Sequence, residues 1–203
     1  RYCMINIKEE VSIDFDSYKD ELNGIDRWII NKLNNVVEFI GKSFDNYDFS
    51  KATRTIYDFI WNDFCNTYLE LIKPRIINGD KVTMNILATV LEALTRILHP
   101  IIPFLTEEIW QLLKGIIKEN KEVKTIMNTK WPTKYNLVDY TTRDDESFDI
   151  LRNLIKKIRN IKSEYKVGMK DDLLQISVIG LTEHVAYLNN NKEAIKQMCR
   201  YET

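Results

Sequence analysis

The stretch "LHPIIPFLTEEIW", residues 98–110, places two prolines inside one of the most apolar parts of the chain. Proline fixes its own φ angle and lacks an N–H donor, so helix interiors and central strands exclude it. The first turn of a helix accepts it, because the N–H groups there have no intrahelical partner. The pattern therefore predicts a helix from about Thr83 to His99. Pro100 ends this helix and Pro103 opens the next one, so the two helices meet at a rigid elbow.

Helical patterns continue on both sides of the elbow, where apolar residues recur at steps of three and four. The three further predicted helices span residues 25–44, 50–73 and 143–165. Ser50 is a good N-cap for the second of these helices, and Pro74 is expected to stop it. Residues 115–142 are expected to form a connector. Most of the chain is thus predicted to be helical.

The pattern changes near the C-terminal end. The stretch "LLQISVI", residues 173–179, is followed by Gly180 and predicts a strand. Two short helices are expected after it, over about residues 181–189 and 191–200.

The composition of the 203-residue chain is that of an ordinary globular protein, with 44% hydrophobic and 29% charged residues. A net charge of −1 provides no global field for nucleic acid, so any such binding must come from a local patch. No apolar run approaches the ~20 residues that a membrane helix needs. Cys3, Cys65 and Cys199 are too widely spaced for a disulfide framework or a zinc site, which predicts reduced thiols in a cytoplasmic protein. The chain starts at Arg1 rather than Met, and we expect it to be a piece of a longer protein.

The sequence lacks the common catalytic and nucleotide-binding motifs. It contains no GxGxxG, GxxxxGK[ST], HExxH or GxSxG pattern. Glu107 and Glu108 are expected in the first turn of a helix, where acidic side chains complement the helix dipole. His99, beside a proline on an apolar helix, is expected to be structural. The residues alone indicate a helical binding or structural module with no catalytic residue and no metal site.

A basic cluster lies along the last long predicted helix. Glu164 is the only acidic residue between positions 152 and 170. Arg152, Lys156 and Arg159 follow one another at steps of four and three, so they share one helical face opposite the apolar stripe. Such a face can contact a phosphate backbone. The alternative is the solvated face of a surface helix that binds no ligand.

A second candidate surface is "WNDFCNTYLELIKPR", residues 61–75. It mixes aromatic rings with hydrogen-bonding side chains such as Asn62, Asp63 and Asn66, a combination that suits unstacked bases. One face of this helix must be buried, so the alternative is that most of its rings belong to the core.

Four stretches, in this order, resemble the anticodon-binding region of class I aminoacyl-tRNA synthetases. They are "DRWIINKLN" (26–34), "YDFIWNDFCNTYLELIKPRI" (57–76), "LHPIIPFLTEEIW" (98–110) and "TIMNTKWP" (125–132). The patterns "DFC…YLEL.KPR" and "LHP..PF.TEE.W" most resemble the valyl-tRNA synthetase family. Isoleucyl and leucyl relatives usually carry alanine before the first proline of the elbow. The stretch "IRNIKSEYKV" (158–167) also resembles the valyl continuation, so the resemblance extends over nearly the whole chain.

The resemblance implies an all-α fold with a small α/β appendage. The helical anticodon-binding bundle is expected over residues 1–166, and the appendage, leading toward a further C-terminal region, over residues 167–203. The family's HIGH and KMSKS motifs, its editing domain and its valine pocket are absent from this sequence. The chain itself is therefore expected to be non-catalytic and to hold the anticodon arm of valine tRNAs. Its parent would be a monomeric cytoplasmic enzyme that ligates valine to tRNA, using ATP and Mg, without contact to a membrane.

Two alternatives accompany this hypothesis. The chain could be the same module of an isoleucyl- or leucyl-tRNA synthetase. It could instead be a helical protein–protein scaffold, which would have no electropositive groove and no affinity for tRNA.

The resemblance also implies individual site residues. In this family an aromatic residue at the end of the helix that enters the bundle packs on an anticodon base. Tyr2 in "RYCM" occupies that position, where Phe is common. The leucine of the "YLE" block also contacts the anticodon, and Leu69 matches it. The helical-face argument adds neighbours to this candidate site: Arg1, Cys65, Tyr68 and Lys73.

Overall fold

The chain folds into helices joined by turns and one longer connector. The computed structural model describes residues 1–7, 10–119, 121–168, 171–173, 175–180 and 182–201, apart from the side chains of residues 142, 143, 183 and 197. In chain order the helices are α1 (Tyr2–Asn6), α2 (Gly24–Asp45), α3 (Phe49–Asp58), a π-helix (Phe59–Tyr68), α4 (Leu69–Leu71), α5 (Lys73–Ile77), α6 (Lys81–Leu98), α7 (Pro103–Lys114), α8 (Thr142–Glu164), α9 (Thr182–Asn190) and α10 (Lys192–Cys199). Short 3-10 turns lie at Phe15–Ser17, Lys19–Glu21 and Ile126–Asn128. Within these residues no sheet forms, which confirms the all-α prediction, and no helix is both long and apolar enough to cross a membrane.

The elbow forms where the two prolines predict it. Pro103 is the first residue of α7, and Pro100 lies in the turn that follows α6. Across this turn, the Nδ1 atom of His99 lies 2.8 Å from the hydroxyl of Thr106, which is buried. This contact ties the end of α6 to the first turns of α7.

Helix α2 runs through the core of the bundle. Its N-terminus carries a capping box, in which the Asn23 side chain accepts from the Asp26 backbone N–H and the Asp26 carboxylate accepts from the Asn23 N–H. Further along, the buried indole of Trp28 stacks on the buried ring of Phe148 in α8, with the ring centroids 3.9 Å apart. The stack anchors α8, which carries the basic cluster, to the core.

The segment predicted as one α-helix over residues 50–73 changes its winding, which corrects that prediction. Helix α3 passes into the π-helix, in which the Thr67 hydroxyl donates to the Asn62 carbonyl at 2.8 Å, five residues back. Apolar periodicity cannot separate the two windings, because both bury one stripe of the helix. Pro74 lies in the first turn of α5 instead of stopping a helix, since a missing N–H leaves no bond unmade there.

An ion pair between a part-buried arginine and a buried aspartate joins two of the stretches that carry the resemblance. The Nη1 atom of Arg75 lies 2.7 and 2.8 Å from the two carboxylate oxygens of Asp26, which is fully buried. The Nε atom of Arg75 donates to Asp80 at 2.6 Å, and Asp80 caps α6. The Tyr68 hydroxyl donates to Asp26 at 3.1 Å. The aspartate of "DRW" and the arginine of "KPR" therefore hold α2, α5 and α6 together.

Glu107 joins the other two stretches that carry the resemblance, residues 98–110 and 125–132. Its carboxylate accepts a hydrogen bond from the Thr125 hydroxyl at 2.8 Å and one from the Ile126 N–H at 3.1 Å. These bonds hold the turn at residues 126–128 against α7, and the Ile126 side chain is buried there.

Replacing Glu107 by alanine is expected to lower the free energy of unfolding by about 1–3 kcal/mol, because the part-buried donors of Thr125 and Ile126 lose their acceptor. Glu108, its exposed neighbour in α7, provides the matched control, and E108A is expected to change stability by less than about 0.5 kcal/mol. Urea unfolding of both variants measures the difference. Equal effects of the two substitutions would contradict the role of Glu107.

The predicted strand at residues 173–179 is not present among its described residues, which corrects the α/β appendage; Leu174 lies outside them. Leu173 forms one isolated bridge with Tyr201, with its N–H donating to the Arg200 carbonyl at 2.8 Å. A strand needs a backbone partner along its length, and helices occupy the segment that follows. Helices α9 and α10 confirm the two predicted short helices, and α10 packs against α4, α5 and α8. The division of the chain at residue 166 stays a prediction.

Candidate nucleic-acid interface

Tyr2 and Lys73, two of the predicted site residues, both interact electrostatically with Glu70. The Lys73 ammonium lies 2.5 Å from a carboxylate oxygen of Glu70. Burial raises the pKa of Tyr2, and the negative charge of Glu70 raises it further. Arg1 is exposed immediately before α1. The fold therefore brings α1 and the start of α5 to one surface.

Cys65 lies at the same surface and is close to Cys3. Burial raises the pKa of the Cys3 thiol to about 12, and the nearby Cys65 adds to the rise. Burial also raises the pKa of the Cys65 thiol. A thiol must ionise to act as a nucleophile or metal ligand. Cys65 therefore contributes a protonated, half-buried side chain to this surface rather than a reactive group.

Tyr68 does not face solvent, which corrects its assignment to the binding surface. Its side chain is 0% exposed, and its hydroxyl donates to Asp26 inside the bundle. Burial and the charge of Asp26 raise the pKa of Tyr68 well above its ordinary value, so the phenol stays protonated. Leu69 is 8% exposed, which leaves an edge of its side chain accessible. Its contact with an anticodon base stays a prediction.

The basic face of α8 and the π-helix line one cleft of about 380 Å³. The polar lining residues are Asn62, Asn66 and Thr67 on the π-helix and Arg152, Lys156, Arg159 and Asn160 on α8. The apolar lining residues are Leu71, Ile155 and Met198, from α4, α8 and α10. Two segments that the sequence presents as separate candidate surfaces therefore belong to one site.

The cations of this cleft have no anionic partner within salt-bridge distance in the described part of the chain. Arg152 and Lys156 are exposed and form no ion pair there. The Nε atom of Arg159 is buried and makes no hydrogen bond to any described residue. Burial raises the pKa of Asp63, while the positive charges of Lys32 and Arg152 act against that rise. Guanidinium groups that the protein leaves unpaired are suited to bind phosphate oxygens.

Sequence reasoning missed the third side of the cleft and an exposed pair of aromatic rings nearby in the sequence. Met198 closes the cleft because α10 folds back onto α8, and no periodicity in the sequence indicates that contact. Most rings of the π-helix are buried, as the alternative interpretation expected. Trp61 differs, because it is 54% exposed and lies parallel to Tyr57, which is 62% exposed, with the ring centroids 6.4 Å apart.

The family model described as the anticodon-binding domain of tRNA ligases matches residues 26–178 of this chain. The matched region includes the elbow, the π-helix and α8. The chain belongs to this family.

The relatives that it resembles are valine–tRNA ligases. The chain is 32% identical to that of Thermotoga maritima over 206 residues, which cover 93% of this chain and 22% of the relative. It is 36% identical to that of Pseudothermotoga lettingae over 174 residues, which cover 81% of this chain and 19% of the relative. It is 33% identical to that of Bacillus cereus over 205 residues, which cover 98% of this chain and 22% of the relative. The chain thus spans about a fifth of the length of these relatives.

Proposed function

We propose that this chain is the part of a valine–tRNA ligase that binds the anticodon arm of valine tRNAs. The observation that carries the proposal is the cleft between the π-helix and α8, where unpaired cations face unpaired amides on a fold of the anticodon-binding family. The cations would follow the RNA backbone and supply most of the affinity. The surface around Tyr2 would contact anticodon bases and supply specificity.

The chemistry of aminoacylation would belong to the rest of the parent enzyme. In this proposal ATP and Mg bind outside the present chain, which contributes no catalytic residue and positions the tRNA. The parent would act as a monomer in the cytoplasm. The similarity to valine–tRNA ligases favours valine over isoleucine and leucine as its amino acid.

Binding of labelled tRNA, followed by fluorescence anisotropy over a series of salt concentrations, tests the proposal. We expect the chain to bind valine tRNA with a steep salt dependence. A valine tRNA with altered anticodon bases should bind at least about fivefold more weakly, since one base contact contributes about 1–3 kcal/mol. Isoleucine and leucine tRNAs serve as controls for the related synthetases. Equal affinity for all these RNAs would refute anticodon recognition, and no tRNA affinity at all would favour the protein–protein scaffold.

Tyr2→Ala is expected to weaken binding of valine tRNA by about 1–3 kcal/mol, because the ring that stacks on a base is lost. Tyr2→Phe keeps the ring and is expected to retain the affinity. Tyr47, an exposed tyrosine between α2 and α3, is the matched control, and Y47A should leave binding unchanged. Circular dichroism establishes that each variant is folded. Wild-type affinity in a folded Y2A variant would remove Tyr2 from the site.

A further inference from the structure

We infer that the cleft between the π-helix and α8 is a pocket for one unstacked ribonucleotide of the RNA, separate from the surface around Tyr2. The inference rests on the proposed function and adds to it the chemical class of the group that enters the cleft. Its starting point is the arrangement of three kinds of wall. Two amides line the cleft from the π-helix, three cations and a third amide line it from α8, and apolar side chains complete the lining.

Polar side chains on both walls of the cleft lack hydrogen-bond partners in the described part of the chain. The side-chain amides of Asn62 and Asn66 line the cleft and make no hydrogen bond to any described residue. An asparagine amide presents both donors and an acceptor, the combination that matches the edge of a base. Since the Nε atom of Arg159 is also buried without a partner, hydrogen-bonding groups converge on the cleft from both of its walls.

The winding of the helix sets this arrangement apart. The amides lie on the π-helix, and π-helical turns are rare and frequent at functional sites. The Thr67 hydroxyl satisfies the Asn62 backbone carbonyl at 2.8 Å. The backbone at this wall is thereby occupied, while the amide side chains of the same wall stay available.

The size and polarity of the cleft favour a nucleotide over a bare phosphate. Its volume of about 380 Å³ lies within the ~300–1,000 Å³ typical of small-molecule sites. Leu71 and Ile155 are buried and offer an apolar surface to a base, whereas Arg152 and Lys156 are exposed at the opening, where a phosphate would lie. A free phosphate would use the cations and leave the amides and the apolar lining without a function.

Two exposed aromatic rings lie on the stretch of chain that leads into the π-helix wall of the cleft. Trp61 precedes Asn62 on the π-helix and, with Tyr57, forms an exposed pair of parallel rings. Exposed aromatic faces beside cations form a stacking platform for single-stranded RNA. A neighbouring nucleotide would stack on Trp61 while the first one occupies the pocket.

The test combines variants of the full chain with an anticodon stem-loop RNA in which each loop base is removed in turn. The double variant N62A/N66A is expected to bind the intact RNA about tenfold more weakly, the loss of one or two hydrogen bonds. Asn153, exposed on α8 outside the cleft, is the matched control, and N153A should bind within about twofold of wild type. At one loop position, removal of the base should weaken binding to the wild-type chain. Removal of the same base should not weaken binding to N62A/N66A any further. Additive effects at every position would overturn the nucleotide pocket.

A second measurement separates this inference from the proposed function. Titration of the ¹⁵N-labelled chain with single 5′-ribonucleotides should shift the side-chain amide signals of Asn62 and Asn66, whereas inorganic phosphate should leave them unchanged. If wild type bound no tRNA yet the nucleotides shifted these signals, the proposed function would fail and the pocket would stand. If neither the stem-loop nor the nucleotides affected them, or if phosphate had the same effect as a nucleotide, the pocket would be refuted.

Discussion

Replacing Arg75 by alanine is expected to lower the free energy of unfolding by about 3–5 kcal/mol, because a buried carboxylate loses its cationic partner. In the native structure Arg75 contacts both carboxylate oxygens of Asp26 and one of Asp80. Removing it leaves Asp26 fully buried with a charge and no cationic partner, and also loosens the cap of α6. Denaturant unfolding measures the loss.

The loss of stability caused by R75A should depend on pH. Burial raises the pKa of Asp26, and Arg75 opposes that rise, so the pKa should rise further in the variant. A carboxyl group whose pKa is higher in the folded state takes up its proton more readily there, which stabilises the fold as the pH decreases. The deficit of R75A relative to wild type should therefore be largest at neutral pH and smaller in acid.

The control for R75A is Arg54→Ala. Arg54 is 87% exposed and lies 4.0 Å from Asp58 at the surface of α3. Such an exposed pair contributes little, so R54A should change the free energy of unfolding by less than about 0.5 kcal/mol. A deficit of R75A as small as that of R54A, and equal at all pH values, would show that the pair of Arg75 and Asp26 does not hold the bundle together.

The double variant R152A/R159A is expected to weaken binding of valine tRNA by about 3–6 kcal/mol, from two charged hydrogen bonds of about 1.5–3 kcal/mol each. Both arginines line the cleft and have no ion-pair partner among the described residues. If each contacts one phosphate, the slope of log K against log salt should become shallower by about 1.4–1.8. Anisotropy titrations at several salt concentrations measure both quantities.

The control for this variant removes the same amount of charge elsewhere. Arg54 on α3 and Lys157 on α8 are exposed, and neither lines the cleft. R54A/K157A should retain most of the affinity and most of the salt slope. If both double variants lose the same affinity, binding depends on net charge alone and the cleft has no special role.

Much of the fold follows from local sequence. The elbow, the start of α7 at Pro103 and the extent of α2 agree with prediction, because proline chemistry, capping and apolar periodicity act within a few residues. The basic face of α8 was also apparent, since helical spacing alone places Arg152, Lys156 and Arg159 together.

The candidate site was only partly predictable. Tyr68 carries an aromatic ring within a stretch that suits base stacking. The ring is nevertheless buried, and its hydroxyl donates to Asp26. Trp61, a neighbour of the same chemical type, is exposed. Periodicity cannot separate these two rings, because the change from α to π winding rotates the residues that follow. The strand expected at 173–179 failed for a related reason, since pairing needs a partner that α9 and α10 do not provide.

The sequence by itself determined where helices begin and end around the elbow, and which stretches carry the resemblance to the anticodon-binding family. Only the tertiary structure showed that those stretches are joined to one another, Asp26 to Arg75 and Glu107 to Thr125, and so build the bundle. Only the tertiary structure placed the π-helix, α8 and Met198 around one cleft. The physical reason is the range of the interactions. Capping and proline effects act between neighbours, whereas ion pairs, burial and clefts depend on residues that folding brings together from distant parts of the chain.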